Sequence, residues 1–190
     1  MTTALEQNPA QLFPEDILNQ KSPGQWRIAR TKSRREKALA EFLASHEVGY
    51  YLPMVKTRQR DRKRVRYSLI PIFSGYIFFK SSDLQRYQAF KSNHISRIID
   101  VKDEDQLLSD LQKVQKAISL NAPLYPYDFV RQGDMVVIKK GPFKGLQGVI
   151  QRKNSHCRLV LNVNYLLQAV ALDIEAHMVE PMGKVRLVEN

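Results

Sequence analysis

Apolar positions change their period from segment to segment along the chain, and each change predicts an element. Trp26 to Thr31 alternates and suits a first strand. Ser33 and Glu36 have the S-x-x-E spacing of a capping box, and Leu39, Phe42 and Leu43 follow as one helical stripe. Arg34, Arg35 and Lys37 fall largely off that stripe. Val48 to Pro53 begins an extended segment. Leu69 to Lys80 (Leu-Ile-Pro-Ile-Phe-Ser-Gly-Tyr-Ile-Phe-Phe-Lys) is β-branched and aromatic in its later half, which favours a strand. Alternation puts Ile77 and Phe79 on one face and Tyr76 and Phe78 on the other. Such a strand is either central in a covered sheet, or it presents Phe73 and Tyr76, beside Gly75, as an apolar patch for another protein. Ser82 and Gln85 cap a short helix carrying Leu84, Tyr87 and Phe90, Ile95 to Val101 is another strand, and Asp103 starts a longer helix with Leu107, Leu111, Val114 and Ile118 in one row. The order is that of an α+β sandwich built on a mainly antiparallel sheet.

Before Gln25 the chain is polar, with Pro9, Pro14 and Pro23, so residues 1–24 are expected as a mobile tail in which only Leu12-Phe13 and Ile17-Leu18 are apolar enough to dock. The sandwich domain is expected over 25–120. Asn121 to Tyr127 holds two prolines without periodicity, which sets a linker at 121–129. From 130 to 184 the texture becomes short strands between turns: Met135 to Lys140, Leu146 to Arg152, Arg158 to Val163 and Leu167 to Leu172. That is the pattern of a small all-β barrel. Gly148 inside a strand marks a bulge or a close backbone approach.

Composition adds one strong signal. Thirty Lys plus Arg against 19 Asp plus Glu give a net charge of +11, and the excess favours a polyanionic partner. Nucleic acid is the commonest. No apolar run approaches a spanning helix and no signal peptide is visible, which argues against a membrane. The single Cys157 fits a reducing cytoplasm.

The cations concentrate in an arm, Lys56, Arg58, Arg60, Arg62, Lys63, Arg64 and Arg66, opposed by Asp61 alone. Two strands with a tip near Asp61 to Lys63 splay these charges outward, either as a solvated hairpin without a partner or as a grip on a phosphate backbone that reads no bases. Enzyme chemistry finds no support. His46, His94, His156 and His177 lack metal-ligand spacing, Gly141 to Gly148 is not a phosphate loop, and Cys157 has no positioned base, so no cofactor or metal is expected.

Two stretches carry a family resemblance. Trp26, Pro53 and Pro71-Ile-Phe-Ser-Gly-Tyr-Ile-Phe-Phe79 resemble the N-terminal signature of the NusG family of transcription elongation factors, and Gly133-Asp-Met-Val-Val-Ile-Lys-Lys-Gly-Pro-Phe-Lys-Gly-Leu-Gln-Gly-Val-Ile150 resembles its KOW motif. The resemblance implies an NGN-like domain followed by an SH3-like KOW barrel. It implies binding to the clamp helices of the largest RNA polymerase subunit through Arg30, Phe73, Tyr76 and Phe78. Non-template DNA or nascent RNA would meet Lys32, Arg34, His46 and the arm. The ribosome or another partner would meet Lys139, Lys140, Lys144, Arg152, Tyr165, Leu166 and Leu167 on the barrel, and a monomer is expected. Where housekeeping members carry a Phe-Gly-Arg turn this chain has Asn164-Tyr-Leu-Leu-Gln168, and Tyr87-Gln-Ala-Phe90 stands where some specialised members have a His-Thr-rich motif. The chain thus resembles specialised paralogues that antiterminate long operons, such as those for surface polysaccharides. The alternative is a KOW-type protein acting on ribosomal or leader RNA.

Overall fold

The computed structural model describes residues 8–19, 23–61, 64–153 and 156–186. The chain divides into two compact units, Met1–Glu104 and Asp105–Asn190. In chain order the first contains β1 (Leu12–Phe13), β2 (Gln25–Thr31), α1 (Glu36–Ser45), β3 (Gly49–Tyr51), β4 (Met54–Asp61), β5 (Arg64–Pro71), β6 (Tyr76–Ser81), α2 (Asp83–Lys91) and β7 (Ile95–Asp100). Its main sheet has the order β1-β3-β6-β2-β7, and every neighbouring pair is antiparallel.

The aromatic strand β6 is the middle one, as a segment apolar on both faces requires. Ile77 and Phe79 join Ala29, Leu39, Leu43, Tyr50 and Ala89 in one core, so this face packs against α1 and α2. The other face carries Ile28, Tyr51 and Phe78 in one register row. Phe73 meets the Phe78 ring edge-on at 6.3 Å. Buried Arg27 locks the far end, donating to the Ser81 carbonyl and hydroxyl and to Asp83.

Two local expectations need correction. Residues 8–19 are docked rather than mobile: β1 adds to β3, Ile17 and Leu18 are buried, and the Tyr50 hydroxyl donates to the Ala10 carbonyl at 2.9 Å. Two short apolar pairs suffice because each finds a slot at the sheet edge. The capping box at Ser33 does not form either. Arg34 turns the chain at φ 58°, α1 begins at Glu36 after an Arg35 that makes no side-chain cap, and Glu36 instead accepts from Gly75 N at 2.7 Å. The box at Ser82 and Gln85 forms as expected.

The second unit holds most of α3 (Glu104–Ser119), then β8 (Tyr125–Asp128), β9 (Gln132–Ile138), β10 (Gln147–Lys153), β11 (His156–Val163), β12 (Gln168–Ile174) and β13 (Val179–Arg186). The strands form one antiparallel sheet in the order β13-β9-β10-β11-β12-β8, the all-β part of the α+β fold read from the sequence. Leu107, Leu111, Val114 and Ala117 of α3 are buried, Ala117 in place of the expected Ile118. At Gly148 a Cβ would stand 2.5 Å from the Val160 carbonyl oxygen, so the close approach read from the sequence is real. The strand β8 occupies ground expected to be linker.

Candidate functional site

The first candidate surface lies at the start of β6. Strand pairing sets Arg30 opposite Tyr76 on one side and opposite Arg97 on the other. Arg30 and Arg97 are exposed and Tyr76 is half-buried. The turn leading into β6 is fixed because Gly75, at φ 82°, is held by Glu36 and its carbonyl accepts from Thr31 N at 2.8 Å. By alternation Tyr76 shares a face with Phe78. The four residues expected at a polymerase pocket thus fall together, but not equally: Phe73 and Phe78 are only 1 % and 0 % exposed. They lie beneath the surface, and the accessible part is Arg30, Arg97 and Tyr76. Arg97 was missed because nothing local in Ile95–Asp100 distinguishes it; only the strand pairing brings it to Arg30.

The second candidate is the hairpin β4–β5. Its register pairs Lys56 with Leu69, Arg58 with Tyr67 and Arg60 with Val65. Lys56 Nζ stands over the Tyr67 ring, 4.5 Å from its centroid, and Arg58 is exposed beside it. On the opposite face Thr57 and Ser68 bond to each other, Oγ1 to Oγ at 3.1 Å. Arg62 and Lys63 lie outside the described residues, as do the side chains of Arg60, Arg64 and Arg66. Lys32 is bonded to Asn93, Arg34 is exposed, and His46 stacks on Phe42 with ring centroids 4.0 Å apart. These three lie on or beside α1.

The barrel residues divide between two ends. Antiparallel order puts the β9–β10 and β11–β12 turns at one end, with Lys139, Lys140, Lys144 and the Asn164–Gln168 turn. Arg152, near the β10–β11 turn, belongs to the other end. Lys139 is paired with Glu180 at 3.2 Å. In the turn Leu166 is buried, Tyr165 is half-buried, and Leu167, at φ 50°, is 63 % exposed. Helix α3 is hydrogen-bonded to this same end. Asn164 donates from its backbone N (3.0 Å) and Nδ2 (2.7 Å) to Asp110 Oδ2, and Lys116 Nζ donates to the Gly145 carbonyl at 2.8 Å. Burial pushes the Asp110 carboxyl above the usual range, opposed by the bonds from Asn164. Asp110 has no signature in the sequence, since one acid on a helix is ordinarily solvated.

Among the described residues no group of three or more His, Cys, Asp and Glu side chains could hold a metal, and no helix is long and apolar enough to cross a membrane. A helix-backed antiparallel sheet with a basic hairpin, followed by a small all-β barrel, is the build of a transcription elongation factor. Residues 24–118, half of the chain, match the family of transcription termination factor nusG, and the chain belongs to that family. Factors of this family regulate transcription without enzymatic chemistry and interact with RNA polymerase. No curated protein matches the chain.

Proposed function

We propose that the protein binds RNA polymerase at the clamp helices of its largest subunit and suppresses pausing and termination on specific long operons. The observation that carries this reading is the juxtaposition of Tyr76 with Arg30, and of Arg30 with Arg97, at the entrance to the central strand. An aromatic residue beside one guanidinium group, with a second on the next strand, on a turn pinned by Glu36, is an anchor of the kind that dominates interfaces. Phe73 and Phe78 back that anchor from below. The basic hairpin then holds non-template DNA or nascent RNA, and the Lys139–Lys144 and Leu167 end of the barrel meets a further partner. The family match runs through α3 to residue 118, so the polymerase-binding module is taken as 25–120, and β8 belongs with the barrel strands that follow rather than with a linker.

The test is transcription of the protein's own operon template with purified polymerase, Rho and the full chain. Readthrough at the terminators rises, and Rho-dependent termination is not enhanced, because Asn164–Gln168 replaces the Phe-Gly-Arg turn. Enhanced Rho termination, or no gain in readthrough with the native leader present, contradicts the reading.

A further inference from the structure

Residues 8–13 precede the stretch 24–118 that matches the family, and we infer that they are a clamp on the base of the β4–β5 hairpin, with Gln11 as its positioning residue. The clamp fixes the angle at which the hairpin leaves the domain. The inference rests on the reading of the hairpin as a nucleic-acid grip and adds to it what aims that grip.

A hairpin of this build needs such a device. It is a two-stranded sheet of its own, separate from the five-stranded one, and two strands alone are marginally stable in water. Each strand has eight residues, a reach of roughly 26 Å at about 3.3 Å per residue. A tilt of about 10° at the base therefore displaces the far end by about 4–5 Å. That exceeds the rise of about 3.4 Å between successive phosphates of one DNA strand. The cations from Arg58 onward meet a fixed phosphate path only if the angle is held.

Buried Met54 and half-buried Leu69 seat the base of the hairpin on the core. Apolar burial sets depth but has no direction, so the angle falls to hydrogen bonds. Met54 stands opposite Pro71, which has no N–H, and its own N–H donates to Gln11 Oε1 at 2.8 Å. The Gln11 carbonyl also accepts from Leu52 N at 2.7 Å, so one residue holds the entry to β4 at two points. On the return strand the Leu69 carbonyl accepts from Lys37 Nζ at 2.7 Å, and the same ammonium donates to Asn8 Oδ1 at 2.6 Å. Both legs are thus tied to residues 8–11, the second through Lys37 of α1. The clamp is itself anchored. Leu12 and Phe13 pair with Tyr51 and Tyr50, and Ile17 fills the space at Gly49, where a Cβ would stand 2.6 Å from Ile17 Cδ1.

Two measurements on the full chain test this. Gln11→Met removes the acceptor at nearly constant length, and Gln11→Glu keeps it. Spin labels at Glu41→Cys and Tyr67→Cys, in a Cys157→Ser background, report the angle by pulsed EPR. A narrow distance distribution is expected, broadened by Gln11→Met or Lys37→Met and kept narrow by Gln11→Glu. Binding is compared between core polymerase alone and polymerase assembled on a DNA bubble with an RNA primer. Gln11→Met should bind core polymerase within twofold of wild type. It should bind the bubble complex about fivefold more weakly, as for a competent geometry that has lost one hydrogen bond, and Gln11→Glu should restore that binding. A distance distribution unchanged by Gln11→Met overturns the clamp. Broadening with undiminished binding to the bubble complex overturns its part in aiming the grip. Equal weakening on both targets makes Gln11 a merely structural residue and overturns the inference as well. A wild type that binds both targets equally removes the nucleic-acid grip of the proposed function, while the labels still report on the clamp.

Discussion

Strand β6 and helix α2 follow one another in the chain, and both are rich in large apolar residues, yet they spend them in opposite ways. In β6 Ile77, Phe78 and Phe79 are completely buried, because a middle strand has a neighbour on each edge and cover on each face. In α2 only Ala89 is buried, while Leu84, Tyr87 and Phe90 are 67, 56 and 51 % exposed. The helix meets the sheet through its smallest side chain and lines an open groove with Phe42 and His46 through larger ones. Hydrophobicity of a segment therefore does not decide how deeply it is buried; position in the sheet does. What β6 leaves partly accessible is Tyr76 at its start and Lys80 near its end.

The largest expected contrast is in stability. Phe78→Ala leaves a cavity in the aromatic cluster and costs about 3–5 kcal/mol, whereas Leu84→Ala removes an exposed side chain and stays within about 0.5 kcal/mol. Urea unfolding followed by fluorescence of Trp26, the sole tryptophan, checks both. Comparable losses would erase the distinction between strand and helix.

Next comes Asp110, which extends the comparison to a buried polar contact. Asp110→Ala strands the Asn164 amide and side chain and costs about 1–3 kcal/mol, read as faster amide exchange at Asn164. The carboxyl has a pKa raised by burial, so its contribution is fully present below the ordinary carboxylate range and is lost as pH rises through the raised value. The stability of the wild type relative to Asp110→Asn should fall over that window and then level off. A difference that grows with pH would mean that the bonds from Asn164 outweigh burial.

The smallest effect concerns the edge opposite β7. Tyr50→Phe removes the bond to Ala10 and costs about 1 kcal/mol, seen as easier proteolysis within residues 8–19. Burial, with a lesser part from Glu41, pushes the Tyr50 phenol up to about 12. The wild-type contribution should hold to its ordinary value near 10 and then be lost as pH rises through about 12, a decline the Phe variant lacks.

Much of the fold was legible in the sequence because it depends on local pattern. The alternation of Tyr76 to Phe79, the helix row of Leu107, Leu111 and Val114, and the capping box at Ser82 each carry their period or spacing on the surface. The strands β8 and β13 were not read, and for one reason: Pro126 and Pro181 lie inside them. Proline is tolerated only on edge strands or at bulges, and these two strands are the ends of the sheet order, with a register shift at Pro181/Gly183. The candidate site was legible only in part. The hairpin follows from local pattern and Arg30 with Tyr76 from the family resemblance, whereas Arg97, Asp110 and the exposure of Leu84 depend on which element each residue meets.

The account turns on Tyr76 rather than α2 as the contact with polymerase. The direct test is retention of core RNA polymerase by the immobilised full chain, comparing wild type, Tyr76→Ala and the triple variant Leu84→Ala, Tyr87→Ala, Phe90→Ala. Loss of a central aromatic anchor costs about 2 kcal/mol, so folded Tyr76→Ala should bind about thirtyfold more weakly while the triple variant binds as wild type. Undiminished binding by Tyr76→Ala, with the triple variant failing, would contradict it.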